Sequence, residues 1–284
     1  MTVEGDHATR KVLMVGDTHA NYRFWKQHVI PIAMTAGAHV IVQLGDFGYW
    51  PRIGEGRSYL KYLSALLVKR NLQVVFIDGN HEDHLELARL APRSDGFVEV
   101  AESILWAPRG HRWEWDGIRF LALGGAFSVD RRYRKRDSAQ YGWFEEELIT
   151  DAQVERAIEG GPCDVLLAHD APSSTVGFLL KRINALSGDQ YPDSDKNAER
   201  VQRVADATNP KQLWHGHWHD FLDIDGVTTG PPFTPPTGSM RVISLACDDT
   251  PDSFSLLELP KLQVTHSQEL SLDTGLDSPT GMSR

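Results

Sequence analysis

The strongest constraint on the fold is a recurrent pattern of short apolar runs that stop abruptly at Gly-Asp, Gly-Asn or histidine. KVLMVG (11–16), HVIVQLG (39–45) and LQVVFIDG (72–79) are rich in β-branched residues, lack helical spacing and read as buried strands. Between them, 22–36 carries Phe24, Trp25, Val29, Ile32 and Ala33, and 58–69 carries Leu60, Leu63, Leu66 and Leu67, both with helical periodicity. Strand, helix, strand, helix, strand is the pattern of parallel βαβ units. A further helix is expected at 82–90.

From 97 to 127 the character changes. VEVAES, ILWAP, HRWEWDG and IRFLALGG read as short antiparallel strands, with Trp115-Asp116-Gly117 supplying a hairpin turn. A helix is expected over 145–159, a buried strand over 163–168 and partial helix over 171–210. KQLWHGHWH, FLDIDG, RVISLAC and FSLLEL close the chain as strands. The sequence shows no internal repeat and no long Gly/Ser linker, so residues 1–262 read as one domain and 263–284 as a disordered tail.

Composition narrows the function. The 284 residues are 41% hydrophobic and 24% charged, ordinary values for a soluble globular protein. Two cysteines, Cys163 and Cys247, cannot build a disulfide framework or an all-cysteine zinc site. The start lacks the features of a secretory signal, and the longest apolar run falls far short of a membrane span, so a cytoplasmic protein is expected. A formal charge of -10 argues against stable nucleic-acid binding, which runs on basic residues neutralising phosphates. Twelve histidines in such a chain call for an explanation.

The polar residues at the strand ends supply it. Asp17 and His19 follow the first strand, Asp46 the second, and Asn80 and His81 the third. His169 follows the strand at 163–168, and His217 and His219 follow the one near 212–215. The carboxyl ends of strands in an open α/β sheet share one edge, where ligands bind. Gly16, Gly45, Gly79 and Gly216 would permit the sharp turns that aim these side chains inward. Imidazole and carboxylate donors suit zinc, manganese, iron or nickel. A lone Asp-x-His occurs by chance, and an asparagine after glycine is often a turn residue. Five such elements in order, each directly after an apolar strand, are not explained that way.

GDTHAN, GDFGYW, GNHED, AHD and GHWH together resemble the five ordered motifs of the calcineurin-like metallophosphoesterase superfamily, in a bacterial or phage-type form. The resemblance spans residues 11 to about 247 and implies an α/β fold, a four-layer α-β-β-α sandwich of two mixed β-sheets. It implies two divalent metal ions, with manganese first and iron, nickel or zinc as alternatives. Asp17, His19 and His219 would bind the first ion, Asp46 would bridge, and Asn80, His169 and His217 would complete the second. His81 would face the substrate, to protonate the leaving oxygen or stabilise the transition state, with Asp46 also serving catalysis. The implied reaction is attack on phosphorus by a metal-activated hydroxide.

The implied substrates are small phosphate esters, with phosphodiesters and nucleotides, including cyclic ones, placed first. A phosphomonoesterase is the alternative, followed by a nuclease or a non-catalytic metal-bound scaffold. Arg131 and Arg132 open a run of five basic residues in six positions and are candidates for a substrate-phosphate clamp. Tyr49 and Trp50 are candidates for stacking on a base. Tyr49 also stands where many relatives carry an acidic residue, which separates this chain from the protein Ser/Thr phosphatases. His84 and His215 read as structural. Asp170 and Asp220 read as solvated turn carboxylates, with orientation of a ligand imidazole the other possibility.

Overall fold

The computed structural model describes residues 10–135, 142–182, 191–230 and 237–270. Two mixed sheets form its centre. The first has seven strands: β1 (Arg10–Val15), β2 (Val40–Gln43), β3 (Gln73–Phe76), β4 (Val98–Ala101), β5 (Ile104–Trp106), β12 (Phe254–Leu259) and β13 (Gln263–His266). Their order is β13-β12-β1-β2-β3-β5-β4. The second has six: β6 (Arg112–Trp115), β7 (Ile118–Leu123), β8 (Val165–Ala168), β9 (Gln212–His215), β10 (Leu222–Thr229) and β11 (Gly238–Ser244), ordered β10-β11-β9-β8-β7-β6.

The alternation of side chains along these strands creates the layers. On β1, Val12 and Met14 face inward with Val42, Val75 and Ile77, against Phe120, Leu167, Trp214 and Ile243 of the second sheet. Leu13 and Val15 face the other way, against Phe24, Trp25, Leu63 and Leu67 on the helices. Leu121, Leu166 and Leu213 pack outward from the second sheet against Val154, Val201 and Val204. Three apolar interfaces between four layers make the expected α-β-β-α sandwich. Among the described residues, no helix is long and apolar enough to cross a membrane.

Several local expectations change. The segment 97–127 is not one antiparallel run. β4 and β5 end the first sheet and β6 and β7 begin the second, with β5 parallel to β3 and β7 parallel to β8. The β6–β7 hairpin does turn at Asp116 and Gly117, both at positive φ (50° and 77°), as a primed turn demands. The helix expected over 145–159 starts only at Asp151. Thr150 and Gln153 form a capping box there, while Glu145–Glu147 is a separate 3-10 turn. The helical stretch from Tyr22 to Ala36 contains a π turn, Trp25–Val29, just before Pro31, whose missing N–H disfavours a regular α ladder. Gln263–His266, expected to open a tail, instead pairs antiparallel with β12 as β13. Residues 271–284 lie outside the described residues.

Candidate metal centre

Parallel pairing of β1 with β2, of β2 with β3 and of β8 with β9 brings five strand ends together across both sheets, rather than along one open edge. The side-chain amide of Gln43 donates to the carbonyls of Gly16 and Gly45, tying the first two loops. Glu82 accepts from the N–H groups of Gly48 and Gly79, tying the second to the third. Burial and the charge of Asp46 push the Glu82 carboxyl up to about 8.

The backbone at this edge is strained. His19, Asp46, His217 and His219 sit at φ 44°, 54°, 66° and 52°, which non-glycine residues adopt at a cost and which clusters at functional sites. Only Gly45 of the four strand-end glycines has positive φ, at 98°. At Gly79 a Cβ would stand 2.1 Å from Asp46 Oδ1, and at Gly216 2.1 Å from Asp17 Oδ1. Those two glycines give the carboxylates room; they do not turn the chain.

Asp17 and Asp46 are buried and face imidazoles. His219 Nε2 lies 3.0 Å from Asp17 Oδ2. The two oxygens of Asp46 point to different rings, Oδ2 to His19 Nε2 at 3.5 Å and Oδ1 to His169 Nε2 at 3.4 Å. His169 Nδ1 lies 2.7 Å from the Leu44 carbonyl, to which it can only donate, so Nε2 of the neutral ring presents a lone pair. That lone pair meets Asn80 Oδ1 at 3.1 Å. Asn80 is turned this way because its Nδ2 donates to Ser128 Oγ at 3.0 Å. Backbone N–H groups help hold the carboxylates: His217 donates to Asp17 at 3.0 Å and His81 to Asp46 at 2.7 Å.

These donors fit a cation. Acceptors converge on acceptors, and a divalent ion or extra protons must sit among them. The protonation equilibria express the same need. Burial would lower His19 and His169, but the hydrogen bonds of His19 to Asp248 and Asp46, and the charges of Asp46 and Asp17 around His169, push them up to about 11 and about 10. The hydrogen bond to Asp17 pushes His219 up to about 10. Burial would raise Asp17 and Asp46, yet the neighbouring His169 holds both below the ordinary carboxylate range. Two groups of ligand atoms cluster within 4.8 Å: Asp17, His19 and His219, and Asp17, Asp46 and His169. His217 joins neither group, though its ring centroid is 5.1 Å from that of His169.

His81 stands beside this cluster, its ring 6.0 Å from His19 and its Nε2 4.0 Å from Asp130 Oδ2. Burial lowers its imidazole against the opposing pull of Asp46. Arg131 is occupied elsewhere, paired with Asp193 at 3.0 Å and stacked over Trp143 at 4.4 Å. Arg132 is exposed. The basic residue of this run that reaches the site is Arg134, which is buried and donates to Asn80 O, Ser128 Oγ and Glu147. Tyr49 belongs to the core, and burial pushes its phenol up to about 12. Trp50 lines a cavity beside His19 and His81.

His84 and His215 are buried, pushed by burial to about 3 and about 4, in keeping with structural roles. Asp170 is no solvated turn residue. It is buried and accepts from Asn197 Nδ2 at 2.9 Å and Trp218 Nε1 at 3.1 Å, not from a ligand imidazole. Asp220 pairs with Arg182. A third carboxylate that meets a candidate ligand ring is Asp248, 3.3 Å from His19 Nδ1 and 2.6 Å from Asn21 Nδ2. The sequence does not single it out, because it follows RVISLAC without a neighbouring histidine, though it too sits just past a strand.

A sequence model described as calcineurin-like phosphoesterase matches residues 10–221. No curated protein matches the sequence. Among solved structures, a Thermus thermophilus protein superposes with a TM-score of 0.49 at 12% identity, covering 91% of this chain and 98% of its own. A structure titled a novel phosphatase from Mycoplasma pneumoniae gives 0.41 at 11% identity, covering 90% and 91%.

Proposed function

The chain belongs to the calcineurin-like phosphoesterase family, a metal-dependent phosphohydrolase family, and on that premise we propose that it hydrolyses small phosphodiesters, nucleotides and cyclic nucleotides foremost. The observation that carries this reading is the pair of buried carboxylates ringed by imidazole nitrogens, with His81 and a small cavity beside them. Asp17, His19 and His219 would hold one cation, and Asn80, His169 and His217 a second. Asp46, with one oxygen toward each side, would be shared. We assign manganese, although the same oxygen and nitrogen donors accept iron, nickel or zinc. When bound, such cations offset charge on phosphoryl oxygens and acidify water toward neutrality.

The chain's own residues do the rest. Asp46 holds the His81 backbone through its N–H, so the ring is fixed relative to the metal ligands. His81, one-third exposed at its side chain, donates a proton to the leaving oxygen, work worth about 10²–10⁴-fold. Arg132, exposed and in no ion pair among the described residues, would meet a substrate phosphate. The test is hydrolysis of bis(p-nitrophenyl) phosphate by protein reconstituted with one metal at a time. Turnover with manganese that His81→Ala reduces most for poor leaving groups, with metal content unchanged, supports the reading. No turnover with any divalent metal sinks it.

A further inference from the structure

A cavity of about 320 Å³ opens beside the ligand cluster, walled by His19, His81, Trp50, Glu55, Gly56 and Tyr59. Its size falls at the lower end of small-ligand sites, about 300–1,000 Å³. Trp50 and Tyr59 are 4% and 5% exposed, so the aromatic wall is held in place by the core. The lining residues differ in charge. His19 and His81 lie on the side of the proposed cations. Glu55, on the first turn of the helix Gly54–Arg70, is the one lining residue with a permanent charge.

The arginines near Glu55 in sequence are engaged elsewhere. Arg52 pairs with Asp83 and lies 5.5 Å over the Phe144 ring, and Arg57 donates to the carbonyls of Pro51 and Arg52. Among the described residues no ion pair holds Glu55. Glu55 is itself exposed, so an anionic group entering this cavity would meet a solvent-screened carboxylate that no ion pair among the described residues compensates.

We propose that the cavity receives the organic group of the substrate ester, and that Glu55 selects against a second phosphate there and for an uncharged or hydrogen-bond-donating group. The proposal rests on the phosphoesterase reading and narrows its substrates to esters whose phosphorus carries no further phosphate nearby. Nucleic-acid strands and nucleotides bearing additional phosphates on that side are disfavoured by the same charge.

The experiment compares thymidine 5′-(p-nitrophenyl phosphate) with the same ester carrying a 3′-phosphate, in wild type, Glu55→Gln and Glu55→Lys. Both esters release p-nitrophenol, so the ratio of their kcat/KM values isolates the added charge. In wild type the 3′-phosphorylated ester should be poorer by about fivefold; Glu55→Gln should narrow the gap to about twofold, and Glu55→Lys should reverse it. An unchanged ratio across the three proteins overturns the role of Glu55 while leaving the enzyme reading intact. Failure of wild type to turn over either ester or bis(p-nitrophenyl) phosphate with any divalent metal overturns the reading and the proposal together.

Discussion

Two sets of buried acids lie near the same strand ends and are compensated in different ways. Asp78 and Glu147 face guanidiniums: Asp78 accepts from Arg109 Nε at 2.7 Å and Trp106 Nε1 at 3.0 Å, and Glu147 from Arg134 Nη1 at 3.2 Å and Trp143 Nε1 at 2.7 Å. Asp17 and Asp46 face imidazoles instead. Arginine is always charged and presents only donors, so the first set is complete as it stands. Neutral histidine presents a lone pair, so the second set is complete only with a divalent ion or extra protons. Burial alone does not mark a candidate metal site; the chemistry of the partners does.

The comparison breaks most plainly at Asp46. Asp46→Ala should remove activity by at least about 10³-fold and strip bound metal while the far-ultraviolet spectrum stays native. Retained turnover would mean that the imidazole-lined set is structural like the other. Next in size, Arg134→Met should cost about 3–5 kcal/mol in urea unfolding, because it leaves Glu147 buried without its cation. It should also lower activity, since Arg134 holds the Asn80 carbonyl. An unchanged midpoint would show that the guanidinium adds nothing there.

Glu147 sharpens the difference through pH. Burial pushes its carboxyl up to about 7 from 4.5, against Arg134 and its other donors. A raised folded value means stability that is present in full below about 4.5 and is lost as pH rises through about 7. Glu147→Gln should therefore flatten the unfolding free energy between those pH values, removing a slope worth up to about 3 kcal/mol. The same slope in the variant would place the titration elsewhere. The smallest effect belongs to Asp248. Asp248→Asn keeps the shape but weakens the acceptor at His19 Nδ1, so metal affinity should fall about 10–100-fold, with little change in thermal midpoint. Equal affinity by metal titration would leave Asp248 with no part in orienting the ligand.

Much of this molecule is written locally. The β-branched runs ending at Gly16, Gly45 and Gly79 specify buried parallel strands, and the residues just after them, Asp17, Asp46 and Asn80, fall at the shared edge because parallel strands all end on one side. Local sequence also shows where the hairpin at Asp116-Gly117 turns. It does not show that β5 pairs parallel with β3, since three residues carry too little pattern to choose a sheet. Nor does it distinguish Arg134 from Arg131 in a run of like charges. That choice is made by a buried Glu147 thirteen residues away and by the Asn80 carbonyl fifty-four away. Periodicity encodes which residues a strand or helix can hide, so ligands placed by strand ends are legible in the chain. Which charge meets which depends on packing between distant segments, where the cost of burying an ion without its partner decides, and that appears only once the sheets are stacked.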